Sequence, residues 1–140
     1  MSEKAVLFNF IHLCKFVIIV WKYKNMIDNQ TAEHYYWGNN CDGWHLLKSE
    51  DLSIIQERVP PGCSETMHYH KKSFQFFYIL SGKCTLKVGD KIFELRAQQG
   101  CPVPPMIPHQ LLNEGSEDLH FLVISSPKSH DDKVIVTIDK

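Results

Sequence analysis

From about His45 onward the chain runs as short apolar or alternating segments, each closed by turn-forming residues, with no helical period among them. The segments span residues 44–48, 52–59, 66–70, 74–80, 84–88, 91–95, 102–104, 110–113, 119–125 and 134–138. Ten short strands in succession predict an all-β sandwich or barrel. Between the segments stand Pro60-Pro61-Gly62, Ser81-Gly82, Gly89-Asp90, Pro104-Pro105 and Asn113-Glu114-Gly115, all with the fixed or permissive φ angles that turns need. Val88-Gly89-Asp90-Lys91 reads as a two-residue hairpin, type II′ or I′, because glycine at the first central position tolerates positive φ.

At 140 residues the chain can build one ordinary domain, so any site has to lie within a single fold. Residues 29–140 are expected to form one barrel and residues 1–28 an N-terminal extension. The apolar run 5–21 is about 17 residues long and carries Asn9, His12 and Lys15, which is short of the roughly 20 apolar residues of a membrane span. Lys22-Tyr23-Lys24-Asn25 follows it where a signal peptide would have small residues. No integral membrane span is therefore expected, and the run is left as a packing segment, an interfacial anchor or a consequence of start-site choice, since Met26 opens a polar leader. A formal net charge of −1 offers no basic footprint for nucleic acid. The five cysteines, Cys14, Cys41, Cys63, Cys84 and Cys101, include no C-x-x-C pair and suit a reducing, cytoplasmic setting.

His68 and His70 are two residues apart, so on a strand their imidazoles share a face, about 7 Å apart along the backbone. The pair belongs to a longer frame, Gly62-x5-His68-x-His70-x4-Gln75-x6-Gly82, and downstream stands Pro104-x4-His109-x3-Asn113. In these two motifs, over roughly residues 45–126, the sequence resembles the cupin family. The resemblance implies a jelly-roll barrel, the double-stranded β-helix, with a divalent metal on His68, His70, His109 and Gln75. Three imidazoles suit Zn, Fe, Ni, Mn or Co. A run of prolines, Pro102, Pro104, Pro105 and Pro108, stiffens the approach to His109.

Three positions depart from the family pattern. Gln75 replaces a glutamate, leaving the metal its full charge and favouring an anionic or enolate-like ligand. Met106 stands at the second motif's inner glycine, so that turn is expected to be made differently or to crowd the metal. Gln98 stands at its leading glycine.

If Gln75 points inward, Phe77 and Ile79 follow it, and Phe74, Phe76, Tyr78 and Leu80 form an outer apolar face that a homodimer partner, another sheet or the N-terminal run would cover. Gln56, Arg58, Tyr69, Phe77, Ile79 and Met106 are the candidate pocket residues, although a one-residue slip in register would exchange the faces. The resulting function is a metal site for a small oxygenated molecule. It serves either catalysis of the dioxygenase or isomerase/lyase kind or non-catalytic binding and storage, and no catalytic residue is assigned. Within the motif, no titratable group besides the histidines is read as standing beside the metal.

Overall fold

The computed structural model describes residues 26–137. The apolar run 5–21 and Cys14 lie outside the described residues. Eleven strands follow in chain order: β1 (Glu33–Trp37), β2 (Cys41–Lys48), β3 (Ser53–Val59), β4 (His68–His70), β5 (Phe74–Ser81), β6 (Lys83–Val88), β7 (Lys91–Arg96), β8 (Gly100–Val103), β9 (His109–Leu112), β10 (Leu119–Ser126) and β11 (Lys133–Ile135). Among the described residues no helix is long and apolar enough to cross a membrane.

The strands form two antiparallel sheets, one ordered β1-β2-β3-β10-β5-β8 and the other β11-β4-β9-β6-β7. Sequence neighbours separated by other strands give the crossed order of a jelly roll. β3 alternates strictly, with Ser53, Ile55, Glu57 and Val59 buried and Ile54, Gln56 and Arg58 half-buried on the other face. β10 does the same with Leu119, Phe121, Val123 and Ser125 inward. Phe77 and Phe121 stack at 6.0 Å in the middle of the interior, facing Cys84, Leu86 and Leu111 of the second sheet. Burying such side chains contributes about 1.5–3 kcal/mol each.

Ten strands coincide with the expected segments, and the expected hairpin at Gly89 is present, with Val88 paired to Lys91. Gly89 has φ +59° and Asp90 does not share the positive sign, which is the type II′ arrangement. β1 is an addition. Its turn into β2 runs through Gly38 and Asn40, both left-handed, and its Tyr35 pairs with Gly43.

The turn at Met106 corrects the expectation. Met106 has φ +67° and Gln98 also has φ +67°, so both hold the left-handed conformation that glycine adopts without strain. The turn is kept, and the Met106 N–H still donates to the His70 carbonyl at 2.7 Å. Met106 is 58% exposed, so it does not crowd the interior.

Candidate metal centre

His68 and His70 occupy β4, a three-residue strand whose middle member Tyr69 points the other way. His109 opens β9 and pairs with His68 across the sheet. All three are buried, and their candidate ligand nitrogens lie within 4.8 Å of one another. Gln75 comes from the opposite sheet, at the start of β5, and is likewise buried. The loop joining β4 to β5 is pinned by Asp132, whose carboxylate accepts the Lys72 and Ser73 N–H groups at 2.8 and 2.7 Å.

Hydrogen bonds at the back of the rings settle which nitrogens face inward. His68 Nδ1–H donates to the Thr66 carbonyl at 2.8 Å, and His109 Nδ1–H donates to the Ile107 carbonyl at 3.0 Å. Each ring then presents Nε2 with its lone pair. Gln75 Nε2 donates to Ser125 Oγ at 3.1 Å, which turns the carbonyl oxygen Oε1 toward His109 Nε2 at 3.0 Å. A neutral imidazole has one N–H and cannot donate to both Ile107 and Gln75. One of the two His109 contacts is therefore lone pair against lone pair.

Protonating His109 twice would satisfy both contacts, but burial lowers its pKa. Burial also brings His68 down to about 3 and His70 to about 4, with Lys133 and the neighbouring rings adding to the effect. The rings are thus neutral at neutral pH and their lone pairs are not in competition with protons. His70 Nδ1 is buried with no hydrogen-bond partner. Facing acceptors about 3 Å apart are the spacing of two neighbouring ligands on one ion with bonds of about 2.1 Å. The donor set fits a divalent metal.

In front of this cluster lies a cavity of about 200 Å³ lined by His68, His70, Gln75 and Phe77, together with Tyr35, Glu57, Glu65 and Lys133. Of the candidate pocket residues Phe77 is present. Gln56 and Arg58 are not, because Ile55 and Val59 fix the inward face of β3 and carry Glu57 with them. Arg58 lies outside, bonded to Asp42 and Asp118. Ile79 is sealed in the core, and Met106 and Tyr69 point away.

The residues that sequence reasoning missed are the two glutamates, Tyr35 and Ser125. Burial pushes the Glu57 carboxyl well above the usual range and the charge of Glu65 adds to it, while the Tyr35 hydroxyl, donating at 3.1 Å, offsets part of the rise. Burial raises Glu65 too, against the opposing influence of Lys133 and of the Leu111 N–H that it accepts at 3.2 Å. Titratable groups do stand beside the cluster, contrary to the reading of the motif alone.

Two sheets in jelly-roll order, closed around a histidine cluster that fits a metal, define a small double-stranded β-helix barrel with a metal-competent interior. The family model described as cupin domain matches residues 55–125, half of the chain, and the chain belongs to that family. It is 30% identical over 93 residues to an uncharacterized protein of Methanocaldococcus jannaschii, covering 66% of this chain and 74% of that protein. It is 29% identical over 85 residues to the oxalate-binding protein of Thermotoga maritima, covering 57% and 70%. The crystal structure of a predicted oxalate decarboxylase from Thermotoga maritima superposes with a TM-score of 0.69 at 21% identity, over 74% of this chain and 100% of that one.

Proposed function

We propose that the chain holds one divalent transition metal on His68, His70, His109 and Gln75 and binds a small oxygenated molecule at the metal's cavity side. The observation that carries this reading is the 3.0 Å approach of His109 Nε2 to Gln75 Oε1, two acceptors that a shared cation reconciles. When bound, the metal supplies Lewis-acid polarisation of a ligand oxygen. The chain's own part is to present four uncharged donor atoms, to exclude water with Phe77, Ile55 and Val123, and to limit the ligand by size. A cavity of about 200 Å³ is below the roughly 300–1,000 Å³ of drug-sized pockets, so the ligand is a molecule of a few carbons.

Elemental analysis of the purified protein tests the site. Wild type is expected to carry close to one metal per chain, and the His68→Ala, His70→Ala double variant to carry none. Unchanged metal content in the double variant overturns the assignment. Iron together with O2 uptake would assign an oxygenase, and tightly held zinc or nickel without turnover a binding protein.

The outer face of β5 supports a homodimer. Phe74 and Leu80 are exposed and Phe76 and Tyr78 half-buried beside Ile54 and Ile124, more apolar surface than a lone sheet face ordinarily leaves to water. A reducing, cytoplasmic setting is part of the same proposal, in keeping with the free Cys41, Cys63, Cys84 and Cys101.

A further inference from the structure

We propose that Cys41 and Cys63 are a reversible thiol pair, a modification site apart from the metal centre at which hydrogen peroxide converts the two thiols into a disulfide.

Backbone geometry brings the two residues together. β2 pairs Asp42 with Arg58 of β3, which sets Cys41 beside Val59 at the end of the ladder. From there Pro60-Pro61-Gly62-Cys63 turns back, with Gly62 at φ +76° and the Cys63 N–H donating to the Pro60 carbonyl at 3.2 Å. The ends of such a four-residue turn lie less than about 7 Å apart, so Cys63 returns to the level of Cys41. The side chains then meet at one atom. The Cys41 thiol donates to the Asn39 carbonyl at 3.7 Å, and the Cys63 thiol donates to the same oxygen at 3.3 Å. Rotation about the Cα–Cβ bonds exchanges these two weak hydrogen bonds for one bond of about 2.05 Å between the sulfurs.

The surroundings give the thiols different parts. Cys41 is fully buried, and burial, with the neighbouring Cys63 adding to it, pushes its thiol up to about 11. It stays protonated at neutral pH and is shielded from an oxidant. Cys63 lies half-buried in a loop, and among the described residues it is the one cysteine that is not fully buried. Its thiolate attacks one peroxide oxygen, the O–O bond breaks, and the departing hydroxide takes up a proton as water, which leaves Cys63 as a sulfenic acid. The Cys41 sulfur then attacks the Cys63 sulfur, the S–O bond breaks, and the hydroxyl leaves as a second water with the Cys41 proton. In balance, two thiols and one hydrogen peroxide give one disulfide and two waters.

The bond would fasten the start of β2 to a segment that shapes the metal-side cavity. The Cys63 carbonyl accepts the Asn113 N–H at 3.0 Å, and two residues on the Glu65 N–H donates to the Leu111 carbonyl at 2.9 Å while its side chain lines the cavity.

Treatment of the full-length protein with hydrogen peroxide, then alkylation under denaturing conditions, intact mass measurement and peptide mapping test the pair. Wild type is expected to lose two alkylatable thiols and two hydrogens, with Cys41 joined to Cys63, and dithiothreitol is expected to restore both. In Cys63→Ser, Cys41 is expected to remain a free thiol, and in Cys41→Ala, Cys63 is expected to stop at the sulfenic acid, which dimedone traps. Wild-type Cys41 and Cys63 left unreacted, either of them joined to another cysteine, or Cys63 gaining oxygen beside an intact Cys41 overturns the proposal.

Discussion

Ser125 faces Gln75 across the β10 and β5 pairing, and its hydroxyl is what keeps the amide from turning its nitrogen toward His109. Ser125→Ala is therefore expected to weaken metal binding by about tenfold or more, as outer partners of metal ligands commonly do. Competition against a chromophoric chelator measures it, and an unchanged affinity would mean that the amide is oriented by something else. Gln75→Glu acts in the opposite sense by adding a negative charge at the ion. On the order of tenfold tighter binding of Mn2+, a hard cation, is the expected result in the same assay. Asn113 has a different role from the histidine it follows. Its amide nitrogen donates to the Val59 and Glu117 carbonyls and its oxygen accepts the Gly115 N–H, so it ties the β9 to β10 loop to the end of β3. Asn113→Ala should lower stability by about 2 kcal/mol in denaturant unfolding while leaving metal content intact.

The turn between β8 and β9 carries backbone strain because Met106 occupies a left-handed conformation, a departure of about 1–2 kcal/mol for a residue with a Cβ. Met106→Gly relieves it and loses little packing, since the side chain is exposed, although the unfolded chain gains freedom. A net stabilisation of up to about 1 kcal/mol is expected in thermal unfolding. A loss of stability would show that the methionine contributes contacts of its own. Elements with a strong period were legible in the sequence, as at β3, β5 and β10. β1 was not, because Glu33-His34-Tyr35-Tyr36-Trp37 mixes charge with aromatics and its hairpin turn uses Gly38 and Asn40 without a tight two-residue signature. His68 and His70 were legible because a spacing of two on one strand survives any packing, and His109 through the second motif, Pro104-x4-His109-x3-Asn113. Glu57 could have been found from Ile55 and Val59, which fix the inward face of β3. Glu65 and Tyr35 could not, because a loop docked on β9 and a ring laid over Gly43 depend on tertiary contacts.

The interior as a whole sets opposing pH responses in the metal-free protein. His68 and His70 titrate at about 3 and about 4 when folded, against 6.5 when unfolded, so the unfolded chain takes protons first and stability falls as pH drops below 6.5. Glu57 and Glu65 titrate above their ordinary 4.5 when folded, so the folded chain keeps protons that the unfolded chain has released, and stability falls as pH rises above 4.5. The two slopes oppose each other between 4.5 and 6.5. Above 6.5 the glutamates act alone. Denaturation midpoints of the metal-free protein should therefore decline between pH 6.5 and about 8, where Glu57 titrates in the folded chain, and the Glu57→Gln, Glu65→Gln variant should be flat over the same range. A wild-type profile that rises there contradicts the burial of the pair.

The histidines belong to one sheet and Gln75 to the other. An ion held by both bridges the two layers much as a rivet joins plates, so occupancy governs how readily they part. At 100 times its dissociation constant, free metal would add about 2.7 kcal/mol to stability. In Gln75→Ala the ion would remain fastened to the histidine sheet alone, and amide hydrogens along β5 would exchange faster even at full loading.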